Sequence, residues 1–127
     1  MLDTSVLLNL EIRQPETIAK LKNLKAEISP RFHITTFTYS EVYLGFLEKT
    51  RENREKMEEE LNQFPLLNTD LRSSKLYAHL KYQLKKTGKA IPDFDLLIAS
   101  IALAHNLPVI TEDKHFQEIP DLKVITF

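Results

Sequence analysis

Four acidic residues stand where a charge needs a purpose: Asp3, Glu41, Asp95 and Asp113. Asp3 follows the apolar pair Met1 and Leu2, and Glu41 lies inside SEVYLGF. Asp95 sits at the mouth of the apolar run LLIASIALA, and Asp113 comes two residues after LPVIT. A carboxylate at the edge of a buried segment costs several kcal/mol unless a cap or a counter-charge compensates it. Gathered in one place, four such groups repel one another and force up at least one pKa unless a cation intervenes. Carboxylate and water oxygens suit hard divalent ions such as Mg²⁺ and Mn²⁺. The histidines, His33, His79, His105 and His115, include no i,i+4 pair of the kind found in zinc-binding helices, so zinc is not expected. A divalent metal held by acids can activate water and screen phosphate, which is the chemistry of many nucleases.

Whether the four acids meet depends on the elements that carry them. Pro15 can open a helix in which Ile18, Leu21 and Leu24 recur on one side, with Lys20, Lys22 and Lys25 mostly outside. Ser29 and Pro30 mark a turn, after which Phe32, Ile34 and Thr36 alternate with His33 and Thr35 as in a half-buried strand. A helix starting near Thr38 carries Glu41. The charged stretch KTRENREKMEEE, 49–60, predicts a solvated helix whose apolar stripe is Met57, Leu61 and Phe64. Pro65 ends it, Leu66 and Leu67 suggest a short strand, and Thr69 or Asp70 caps a helix with Tyr77, Leu80 and Leu84 on its apolar side. That helix finishes in KKTGK, with Gly88 as a left-handed cap. After a linker, 89–92, residues from Phe94 to Ala104 are apolar nearly all round and predict a buried helix. Asn106 stops it, Leu107 to Thr111 form a strand, and DLKVITF gives a last one.

This alternation implies a parallel sheet with helices on both faces. In such sheets functional residues gather at the carboxyl ends of the strands. Asp3 ends the first strand, Glu41 and Asp95 fall in the first turns of two helices that follow the preceding segments, and Asp113 follows the strand ending at Thr111, so all four are expected at one edge. The first strand is odd. Only Met1 and Leu2 precede Asp3, where a strand takes about five residues, so either the strand is stunted or the true start lies upstream.

Each acid also has a plain structural explanation. Thr38, Tyr39, Ser40 and Glu41 fit a capping box. Asp93 suits an N-cap after Pro92, Asp95 would favour the amino end of a helix dipole, and Asp113 could start a turn. Glu112 reads as a solvent-facing neighbour. The histidines, and Tyr39, Tyr43, Tyr77 and Tyr82, read as structural or packing residues. The coincidence of four acids at one edge is what raises the functional reading.

LDTSVLL, SEVYLGF, PDFDLLIASIALAHNLPVITEDKHF and the closing strand together resemble a PIN domain, specifically the VapC-type toxin ribonucleases of toxin–antitoxin pairs. The resemblance spans essentially the whole chain, 1–127, as one PIN-like domain, and the third motif is its most specific part. It implies an α/β, three-layer fold: a central parallel five-stranded sheet with helices on both faces, here with an unusually short first strand. It also implies that Asp3, Glu41, Asp95 and Asp113 bind Mg²⁺ or Mn²⁺ and hydrolyse RNA. Thr4 and Thr111 match hydroxyl residues that support such sites, and Asp93 falls outside the ligand set, beside it, as a cap. A homodimer and a cognate VapB-type antitoxin that blocks the crevice are further implications. Lys85, Lys86, Lys89 and Lys114 are candidates to meet RNA at the rim, although a solubilising role explains each as well.

Composition narrows the alternatives. The 127 residues suit one domain, and 43% hydrophobic with 28% charged residues describes a globular chain. No apolar run is long enough to span a bilayer, MLDTSVLLNLE lacks the basic start of a signal peptide, and cysteine is absent, so a cytoplasmic location is the default. A net charge of −1 gives no global attraction to nucleic acid, which leaves local basic groups or bound metal to meet a polyanion. An inactive PIN fold used as a nucleic-acid or protein binding module has no need of four repelling carboxylates. A phosphoacceptor receiver would place an aspartate at the end of its third strand, but near Leu66 and Leu67 there is only Asp70, beyond the strand. A haloacid-type phosphatase would need an aspartate where Ser5 stands.

Overall fold

The computed structural model describes residues 1–28 and 31–127, so the expected turn at Ser29 and Pro30 lies outside the described residues. In chain order the elements are α1 (Thr4–Glu11), α2 (Pro15–Ile28), β1 (Ile34–Thr35), α3 (Thr36–Phe46), α4 (Arg51–Leu61) and β2 (Leu66–Leu67). There follow α5 (Leu71–Lys86), α6 (Asp93–Ala104), β3 (Val109–Thr111), a short 3-10 helix (Lys114–Glu118) and β4 (Val124–Thr126). Among the described residues no helix is long and apolar enough to cross a membrane.

In place of one regular five-stranded sheet, the described residues form two parallel ladders of two strands each. Ile34 lies opposite Leu66 in one, and Val109 opposite Val124 in the other. Met1 to Asp3 run between them. The Leu2 N–H donates to the His33 carbonyl at 2.8 Å, the Ile110 N–H to the Met1 carbonyl at 2.8 Å, and the Asp3 N–H to the Ile110 carbonyl at 3.0 Å. The amino-terminal strand is therefore as short as expected, a single parallel bridge between Leu2 and Ile110. Thr4 already belongs to α1, an element additional to those expected from the sequence. β1 is likewise shorter than its alternating pattern suggests, because Thr36 enters α3.

The two-residue period of extended chain divides the core. Met1 and Val109, with Val124 at the margin, pack on one side with Leu80 and Leu84 of α5 and Leu96, Ile98, Ile101 and Ala102 of α6. Leu2 and Ile110, with Ile125 at the margin, pack on the other side with Val6 and Leu7 of α1, Leu21 of α2, Val42 and Phe46 of α3, and Leu61 of α4. Helices thus cover both faces of the strands. α6 is the buried helix its composition predicts, with Leu96 and Ile98 to Ala102 almost wholly removed from water.

Local signals explain most boundaries. Asp70 caps α5 in a reciprocal box: its carboxylate accepts from the Ser73 N–H at 2.7 Å while Ser73 Oγ accepts from the Asp70 N–H at 2.8 Å. Gly88, at φ 71°, follows α5 in the left-handed region, and Asn106, at φ 53°, does the same after α6. α3 departs from expectation. Its N-cap is Thr35, whose Oγ1 accepts from the Thr38 N–H at 3.0 Å, so the helix starts at Thr36 and Glu41 falls in its second turn.

Candidate acidic active site

Asp3 is the N-cap of α1 and is only 4% exposed. Its Oδ2 accepts from Ser5 Oγ at 2.9 Å, from Thr111 Oγ1 at 2.8 Å and, more weakly, from the Ser5 N–H at 3.4 Å. These donors satisfy one oxygen and leave Oδ1. Because no buried side-chain polar atom lacks a partner among the described residues, Oδ1 is the oxygen that reaches solvent. The aspartate is held rigidly by one side of its carboxylate and offers the other.

The same hydroxyls join α1 to the carboxyl end of β3. Thr111 Oγ1 accepts from the Asp113 N–H at 2.9 Å while donating to Asp3, and Ser5 Oγ accepts from the Glu112 N–H at 3.1 Å. Ser5 was not among the residues expected to support the site. The available signal was its place two residues after an acid at a helix start, where a hydroxyl can bond back to the cap. Thr4, beside it, donates through Oγ1 to Glu41 Oε2 at 2.5 Å. The capping-box reading of Glu41 is therefore corrected: Thr35 does the capping, and the Glu41 carboxylate turns to α1.

Asp95 lies in the first turn of α6. Burial pushes its carboxyl up to about 6, and the negative charges of Asp3, Asp113 and Glu41 add to the rise, with His115 opposing it. Asp95 thus lies within electrostatic reach of the other three expected acids. Asp113 caps the 3-10 helix, accepting from the His115 N–H at 2.8 Å, with His115 Nδ1 3.0 Å from the same oxygen.

Asp93 is placed differently from expectation. Pro92 occupies the N-cap position of α6 without any side-chain cap, and Asp93 is already the first helical residue. Its Oδ1 instead receives Lys81 Nζ at 2.5 Å and Tyr77 OH at 3.0 Å, both from α5. Lys81, then Tyr77, holds the Asp93 carboxyl below the usual carboxylate range. That pairing removes Asp93 from the set of uncompensated acids. Glu112 is exposed as expected and accepts from Thr17 Oγ1 at 3.4 Å. Of the four rim lysines, Lys85 and Lys114 are exposed, Lys86 Nζ sits 4.3 Å from the centre of the Tyr82 ring, and Lys89 pairs with Glu118 at 3.3 Å.

Among the described residues, no three acids or histidines stand close enough together to form a ready-made ion cage. The chemistry of the four acids nevertheless fits a hard divalent cation: one oxygen of Asp3 is free, Asp95 is destabilised as an anion, and no lysine or arginine forms an ion pair with Asp3, Glu41, Asp95 or Asp113 among the described residues.

The PIN domain family model matches residues 1–122. Ribonuclease VapC2 of Rickettsia felis is 27% identical over 125 residues, covering 96% of this chain and 92% of that protein. Ribonuclease VapC3 of Methanocaldococcus jannaschii is 35% identical over 101 residues, covering 80% of this chain and 95% of that protein. The crystal structure of VapBC2 from Rickettsia felis, bound to a DNA fragment from their promoter, superposes with a TM-score of 0.86 at 25% identity, covering 100% of this chain and 97% of that one.

Proposed function

The chain belongs to the PIN domain family, and from that premise we propose that it is a metal-dependent endoribonuclease, the toxin of a toxin–antitoxin pair, with residues 1–127 acting as one PIN-like unit. The observation that carries this reading is the edge at the end of β3, where Ser5 and Thr111 fix Asp3 by one carboxylate oxygen, Thr4 holds Glu41 and Asp113 caps the 3-10 helix. Asp3, Glu41, Asp95 and Asp113 would hold Mg²⁺ or Mn²⁺. A bound divalent ion supplies water activation and neutralisation of charge on the phosphodiester.

The chain's own residues supply position. Ser5 and Thr111 fix Asp3 through one oxygen, so that the other is aimed before any ligand arrives. Thr4 draws Glu41 toward the amino end of α1. A positive charge bound among these neighbours would favour the Asp95 carboxylate, because it would offset their negative charges. No side-chain nucleophile is needed.

RNA is the substrate in this reading, guided at the rim by Lys85 and Lys114; the present engagements of Lys86 and Lys89 make them weaker candidates. A homodimer and a VapB-type antitoxin are the expected protein partners, and a cytoplasmic location accompanies them. An open groove of about 860 Å³, whose apolar wall includes Leu10, Met57 and Phe64 and whose charged lining includes Glu11, Lys25 and Glu60, offers a seat for such a partner. Induced expression in a bacterial host tests the proposal: growth should stop with wild-type protein and continue with Asp95→Asn, and equal growth with both would count against it.

A further inference from the structure

The first turn of α6 presents three neighbouring side chains in three directions, about 100° apart around the helix. Asp95 turns to the acid site, and Asp93 turns to Lys81 and Tyr77 on α5. Phe94 stands between them and is 43% exposed, a large apolar ring left in water beside the acids. It is also braced: its ring meets that of Phe37 at 5.4 Å between centroids with a tilt of 53°. Phe37 in turn packs against the buried cluster of α5 and α6, and it lies one turn before Glu41 on α3. The Phe37–Phe94 pair therefore spans the gap between the two helices that carry Glu41 and Asp95. A tilted aromatic neighbour supports Phe94 while leaving ring surface free.

We propose that Phe94, buttressed by Phe37, is a stacking platform for an unpaired base of single-stranded RNA beside the phosphate held at the acid site. The proposal rests on the ribonuclease reading and adds a specificity determinant to it. A base has an apolar face of the size Phe94 leaves uncovered, and a strand whose phosphate lies among the acids would bring a neighbouring base over α6's first turn. The contact is one a duplex cannot make, because its bases are already stacked. The ring is supported before binding, since Phe37 packs against one side of it. Stacking of this kind is sequence-tolerant, with purines favoured over pyrimidines by their larger faces.

Binding, measured apart from cleavage, tests it. Wild-type protein, Phe94→Ala, Phe94→Leu and Phe94→Trp are titrated with Ca²⁺, a hard divalent ion suited to carboxylate oxygens, as the added metal, and with short oligoadenylate, oligouridylate and a ribose-phosphate strand of equal length that lacks bases. Phe94→Ala and Phe94→Leu should bind oligoadenylate about tenfold more weakly, as expected for loss of one stacked base, and should bind the base-free strand as wild type does. Phe94→Trp should retain affinity. Equal weakening on base-containing and base-free strands, or no weakening on either, would overturn the platform. So would Phe94→Ala altering only the oligomeric state, with RNA affinity unchanged. Base-dependent binding by a wild-type protein that cleaves no RNA would support the platform and refute the nuclease reading, so the two fail separately.

Discussion

Thr4 Oγ1 donates a hydrogen bond to Glu41 Oε2 at 2.5 Å, joining the first turn of α1 to the second turn of α3. Thr4 directly follows Asp3, so the bond also couples two of the four acids through a single peptide unit. A hydrogen bond to a charged group contributes about 1.5–3 kcal/mol. Thr4→Val keeps the shape and removes the donor, and the expected result is a loss of Mn²⁺ affinity of about tenfold or more. Isothermal titration that found wild-type affinity in Thr4→Val would show that Glu41 needs no such anchor.

The raised Asp95 carboxyl gives a pH dependence of known sign. Its pKa is about 6 in the folded chain against the ordinary aspartate value of 3.8. The folded protein therefore binds this proton more tightly than the unfolded chain, and stability is lost as pH rises from about 4 through about 6. Asp95→Asn removes that loss. In chelator, its melting temperature should exceed that of the wild type at pH 7.5, and the gap should close by pH 4. A gap of equal size at both values would place its cause outside the ionisation of Asp95.

Asp93 tests the division of labour on α6. Its bonds to Lys81 and Tyr77 are exposed, and surface pairs of this kind contribute little. Asp93→Asn should leave metal-dependent cleavage within a factor of about three. A loss as large as that of Asp95→Asn would mean that the wrong member of the pair has been assigned to the metal.

Phe116 carries the support of Asp113. It is fully buried, and it pins the 3-10 helix that Asp113 caps against the α6 side of the core. Phe116→Ala should destabilise the fold by about 3–5 kcal/mol, read from urea denaturation. A cost below about 1 kcal/mol would show that this helix is not anchored by the ring.

Much of this arrangement is legible in the sequence because its causes are local or periodic. The apolar circumference of α6, the Asp70 cap of α5 and the left-handed Gly88 each follow from a few adjacent residues. The expectation that the acids gather at one edge follows from a topological rule about strand ends. What escaped depends on burial or on neighbours distant in the chain. Two threonines, Thr35 and Thr38, could each start α3, and burial of both side chains in one mutual hydrogen bond at 2.9 Å selects the earlier. Asp93 has the form of an N-cap, yet Lys81 and Tyr77 reach it from α5 across the interface. Ser5 gains its role only because α1, capped by Asp3, begins directly against the end of β3.

The most direct test of the central claim is cleavage of a single-stranded RNA by purified wild-type protein and by Asp95→Asn, each with Mn²⁺, with Mg²⁺ and with chelator. The expected result is endonucleolytic product from the wild type with either metal, none in chelator, and a loss of at least about a hundredfold in Asp95→Asn, on the scale of removing one preorganised electrostatic group. Cleavage that persists in chelator, or in Asp95→Asn, would contradict the account.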